Sequence, residues 1–122
     1  DTNPRVVERI EKLAKLEPDW DGYGGDPPTE EAIKMTAGLL FAIHQLAPSL
    51  LESLFISPMS DGGLGLEWEL HSGAELMLII PPTRTGIRYL LDEPMGSGNI
   101  IESEGTLPGN TNLSDLLSRL IC

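Results

Sequence analysis

The stretch LGLEWELHSGAELMLII, residues 64–80, decides the fold. In its first half Leu64, Leu66, Trp68 and Leu70 alternate with Gly65, Glu67, Glu69 and His71, the period of a strand with one apolar face. After a turn at Ser72-Gly73-Ala74, Leu76, Leu78 and Ile80 repeat that spacing, with Glu75, Met77 and Ile79 on the opposite side. Pairing Leu70 with Leu76 and Trp68 with Leu78 gathers the large apolar residues on one face. A slip by one residue would bury Glu67 and Glu69. An antiparallel hairpin follows, with its acidic side turned outward.

The flanking segments extend this hairpin. Residues from Leu54 also alternate, and Ser57-Pro58-Met59-Ser60-Asp61-Gly62-Gly63 is turn chemistry that joins them to the hairpin. Beyond the Pro81-Pro82 break, Ile87, Tyr89 and Leu91 predict a further strand, and residues 99–104 a short edge strand. On the N-terminal side, Asn3-Pro4 starts a helix with Val6, Ile10, Leu13 and Ala14 on one stripe and Arg5, Glu8, Arg9, Glu11, Lys12 and Lys15 mostly facing water. Pro18 stops it. Thr29 caps a second helix, with Glu30 and Glu31 in its first turn and Pro48 at its end. Its broad apolar face takes in Ala32, Ile33, Ala37, Leu39, Leu40, Ile43, His44 and Leu46. Leu113, Leu116, Leu117, Leu120 and Ile121 predict a closing helix capped by Thr111 or Asn112. The expected fold is a single α+β domain over residues 1–122: two N-terminal helices, an antiparallel meander of three to five strands and a C-terminal helix.

Composition narrows the function classes. The apolar share of 40% is too high for a disordered chain, and 122 residues suffice for one core. The longest uncharged apolar run, Ala37 to Ile43, is too short to span a bilayer, which needs roughly 20 residues. With a single cysteine, Cys122, no internal disulfide forms, and no secretory signal is apparent, so a cytoplasmic location is expected. Nineteen acidic residues against eight basic ones give a net charge of -11, which disfavours direct binding to nucleic-acid backbones and anionic membranes. From Glu17 to Glu75 the only basic residue is Lys34, so a basic protein partner is favoured.

The segment DWDGYGGDPPTEEA, residues 19–32, is the other concentrated feature. Asp19, Asp21 and Glu30 occupy the first, third and twelfth places of an EF-hand-like calcium loop, with Gly24 at the sixth. Tyr23 replaces an oxygen ligand, Asp26 sits at an apolar place and Pro27-Pro28 distort the exit, so a structural corner accounts for more of the residues. In that reading the glycines bend the backbone, Asp21 and Asp26 bond nearby N–H groups, and Trp20 and Tyr23 tuck beneath the helices.

Gly62, Gly63 and Gly65 lack the lysine and following helix of a phosphate loop. The two histidines, His44 in an apolar stripe and His71 at a strand end, support neither a nucleophilic triad nor a zinc set, although Glu67, Glu69 and His71 compose a conceivable hydrolase centre.

The motifs W-D-G-Y-G followed by P-x-x-E-A-I, at Trp20 to Gly24 and Pro28 to Ile33, and P-x-x-D-G-G-x-x-L-E-W, at Pro58 to Trp68, resemble those of a family of small, functionally uncharacterised bacterial proteins. The likeness covers about residues 10 to 92. It implies companionship with mobile or toxin-type systems and gives no catalytic role to Trp20, Asp21, Gly22, Tyr23, Gly24, Asp61, Gly62, Gly63, Glu67 or Trp68.

The leading expectation is a non-catalytic, acidic interaction module without a cofactor, antitoxin- or immunity-like. It would meet a partner through Glu67, Glu69, His71, Glu75, Met77 and Ile79. A homodimer through Met77, Ile79 and the last helix is compatible with it. The alternatives are a calcium or small-ligand site at Asp19, Asp21, Asp26 and Glu30, and a hydrolase.

Overall fold

A computed structural model describes residues 4–69, 73–83, 86–94 and 98–107, together with Leu113, Asp115 and Leu117. Helix α1 runs over Pro4–Ala14 and α2 over Glu30–Leu46. The strands are β1 (Phe55–Pro58), β2 (Leu64–Glu69), β3 (Glu75–Ile80), β4 (Ile87–Pro94) and β5 (Ile100–Leu107). They form one antiparallel sheet in chain order, so short connections suffice and β1 and β5 are its edges.

The alternation read from the sequence sorts the sheet into two faces. Ile56, Leu64, Leu66, Trp68, Leu76, Leu78, Ile80, Tyr89, Leu91 and Leu107 are buried on one side against Val6 and Leu13 of α1 and Ala32, Leu39, Leu40 and Ile43 of α2. The hairpin register differs from expectation by two residues: Trp68 stands opposite Leu76 and Leu66 opposite Leu78. A shift of two keeps every side chain on its face, so the apolar pattern cannot distinguish the two pairings.

Thr29 caps α2 as expected, its hydroxyl accepting the Ala32 N–H at 3.0 Å. After α2 ends, Pro48–Leu51 form a 3-10 turn that buries Leu50 and Leu51. Trp68, the largest of the fully buried side chains, fixes this turn by donating its indole N–H to the Leu50 carbonyl at 2.8 Å.

Some helix residues depart from expectation. Ala37 and Leu46 are exposed and Thr36 is buried instead, because α2 turns a narrower stripe to the core than its composition suggests. Arg5 and Arg9 are exposed, as expected, and each also bonds a carbonyl: Arg5 donates to Glu52 at 3.0 Å and Arg9 to Ile56 at 3.1 Å. The second bond takes a carbonyl of edge strand β1, which is only four residues long and ends in Pro58. Strand β5 runs to Leu107, three residues past its expected end. Of the predicted closing helix, Leu117 is buried in the core and Leu113 packs against it. Asp115 is exposed, and the remainder lies outside the described residues. Among the described residues no helix is long and apolar enough to cross a membrane.

Candidate functional site

Two regions gather the residues singled out in the sequence. The first is the corner between α1 and α2, where the two motifs, far apart in the chain, meet. The Asp26 N–H donates to the Ser60 carbonyl at 2.8 Å, the Thr29 N–H to Gly62 at 2.9 Å, and Asp26 forms a parallel bridge with Asp61. The 19–29 loop therefore lies against the turn that joins β1 to β2.

Inside the corner the polar groups bond one another. The Asp19 carboxylate accepts the Gly24 N–H at 2.6 Å, and Asp19 itself takes a left-handed conformation at φ 63 that a short polar side chain tolerates. Asp21 accepts the N–H groups of Tyr23 at 2.9 Å and Gly25 at 2.8 Å, and these two bonds hold its carboxyl below the ordinary 3.8. Asp61 accepts the Gly63 N–H at 2.9 Å.

Asp26, expected to act through its side chain, acts through its main chain. Besides donating its N–H, it offers its carbonyl to the Trp20 indole N–H at 2.7 Å. Trp20 is half-buried. Tyr23, expected beneath the helices, is 93% exposed, because the positive φ values at Gly22 and Gly24 turn the tip away from the core. Asp19, Asp21 and Glu30 do not converge: among the described residues no three His, Cys, Asp or Glu side chains are grouped to hold a metal ion.

The second region is the open face of the sheet. Glu67, Glu69 and Glu75 are exposed on it, and Met77 and Ile79 half-buried. His71 lies outside the described residues. The register sets out two rows. One runs Phe55, Glu67, Met77, Leu90, Glu104 across all five strands. The other runs Glu69, Glu75, Asp92, Glu102 across β2 to β5, four carboxylates spanning about 15 Å at the usual strand spacing.

A groove of about 560 Å³ lies between them, lined by Glu67, Glu69, Glu75 and Asp92 with Phe55, Met77 and Leu90. Like charges directly opposite one another destabilise a sheet. Among the described residues the two ion pairs, Lys12 with Glu8 and Lys34 with Glu30, are both on helices, and Arg88 is the one basic side chain on this face.

Sequence reasoning missed Phe55, Leu90, Asp92, Glu102 and Glu104 as members of this face. The alternation of Arg88, Leu90 and Asp92 against Ile87, Tyr89 and Leu91 carries the signal, but the register is needed to align it with Glu69 and Glu75. Comparison of the chain with protein-family models, curated proteins and solved structures gave no match.

Proposed function

We propose that the chain is a non-catalytic, cytoplasmic interaction module, antitoxin- or immunity-like in role, whose open sheet face binds a basic protein partner. The observation that carries this reading is the row Glu69, Glu75, Asp92, Glu102, which crosses four strands with no ion pair to a described basic residue. An arrangement that costs stability in the free chain gains when an external cation meets it. Phe55, Met77 and Leu90 beside the acids add apolar contact for the stems of lysine or arginine side chains. An interface of this kind combines electrostatic steering with a partly apolar centre.

The test compares three forms of the chain as baits in lysate from its host, over a series of salt concentrations. They are the wild type, Glu69→Lys with Glu75→Lys, and Glu11→Lys with Glu17→Lys. The last pair makes the same change in net charge at exposed positions away from the sheet. The proposal expects a salt-sensitive partner of high isoelectric point that the sheet variant loses and the helix-side variant keeps. Equal retention by all three, or equal loss in both variants, would overturn it.

A further inference from the structure

The two edges of the sheet are built differently. Edge strand β1 has four residues, ends in Pro58 and gives its Ile56 carbonyl to Arg9, so little of its outer main chain remains for another strand. Edge strand β5 has eight residues, and all of them pair with β4 in an unbroken register from Ile100 opposite Pro94 to Leu107 opposite Ile87. It contains no proline, lysine or arginine, the residues that commonly close an edge. Among the described residues β5 has a strand on one side only.

The side chains at this edge select what can pair with it. Glu102 and Glu104 are exposed and stand two residues apart on the open face, about 7 Å along the strand. Each ends one of the two rows that cross the sheet: Glu102 follows Glu69, Glu75 and Asp92, and Glu104 follows Glu67, Met77 and Leu90. Among the described residues neither is ion-paired, and Arg88, opposite Thr106, forms no ion pair with either. Ile100, 62% exposed on the same face, adds apolar surface for the stem of a lysine or arginine.

A second copy fits this edge poorly. Twofold antiparallel pairing of β5 with itself, centred on Glu102, Ser103 or Glu104, puts carboxylates of the two chains directly opposite one another. A strand with cations at alternate positions meets the reverse condition, with its Cβ atoms about 5 Å from those of Glu102 and Glu104.

We infer that the partner docks by an extended segment with lysine or arginine at alternate positions, added to β5 as a sixth strand, one cation facing Glu102 and the next Glu104. Main-chain hydrogen bonds along β5 hold the segment, and the alternate carboxylates choose it. The inference rests on the basic-partner reading of the open sheet face and gives that partner a secondary structure and a register.

The test titrates the full chain with synthetic peptides as long as β5, followed by fluorescence anisotropy. One alternates lysine with threonine, and another has the same composition with its lysines in a block. Two further versions of the alternating peptide are N-methylated on the lysines or on the threonines, which blocks one edge of the peptide or the other. The alternating peptide should bind about tenfold or more tighter than the block peptide, and one N-methylated version should weaken by a similar factor. Amide exchange over residues 100–107 should slow in the complex. Glu102→Lys with Glu104→Lys, its fold checked by circular dichroism, should lose the peptide. No binding, equal binding by the alternating and block peptides, or full binding by both N-methylated versions would overturn the inference. So would exchange at residues 100–107 that slows with the chain's own concentration in the absence of peptide, since a second copy would then hold the edge. A lysate partner lost on Glu69→Lys with Glu75→Lys but kept by Glu102→Lys with Glu104→Lys would remove the sixth strand and leave the basic-partner reading standing.

Discussion

Asp21 in the corner and Glu75 on the sheet carry the same charge under opposite conditions. Asp21 accepts two main-chain N–H groups, and its neighbours Asp19 and Asp61 likewise close local hydrogen bonds. Glu75 stands between Glu69 and Asp92 with no such partner among the described residues. In one region the negative charge completes the local backbone geometry; in the other it works against the sheet that carries it. An acidic residue count cannot separate these cases, and their difference makes the sheet face rather than the aspartate-rich loop the candidate for binding.

The sharpest way to break this comparison is a methyl group in the corner. A Cβ at Gly63 would run into the Ile80 main-chain carbonyl, which cannot rotate away as a side chain would. Gly63→Ala should therefore cost about 3 kcal/mol in denaturant unfolding, the upper part of the overpacking range. A loss below about 0.5 kcal/mol would mean the corner is not the tightly built unit described.

Acid sharpens it next. Because the Asp21 carboxyl is depressed below 3.8 in the folded chain, its contribution is fully present above that pH and is lost as pH falls through the lower native value. Thermal melts between pH 2 and 5 should show the wild type losing more stability than Asp21→Asn does. Parallel curves would remove the carboxylate from the corner's stability.

The smallest effect has the opposite sign. Glu75→Lys exchanges two like-charge contacts, with Glu69 and Asp92, for two attractive ones, and the variant should be about 0.5 kcal/mol more stable while partner capture falls. A loss of stability on that substitution would show that the row is compensated within the chain.

The sheet was the more legible part of the molecule. Alternation in 64–80 placed Glu67, Glu69, Glu75, Met77 and Ile79 on one face, and Thr29 with Pro48 framed α2 closely. Periodicity reports which face a residue takes and is blind to displacements of two, so the partners of Trp68 and the alignment of Asp92 with Glu75 required the strands themselves. In the corner, turn residues signalled a bend but not its direction. Aromatic character suggested burial for Tyr23, whereas the handedness imposed by Gly22 and Gly24 turned it outward. The docking of Asp26 on Ser60 is a long-range main-chain contact, and no local pattern announces it.

That docking has an expected kinetic consequence. The Asp26 to Asp61 bridge closes a loop containing all of α2 and β1, and it needs the carbonyls of Ser60 and Gly62 already held in the turn between β1 and β2. A hairpin turn forms within about microseconds, while a long loop closes only at a larger entropic cost. The corner should thus latch after the folding barrier is crossed, so weakening it, as by Asp21→Asn, should steepen escape from the native state and leave the refolding limb of a chevron nearly unmoved.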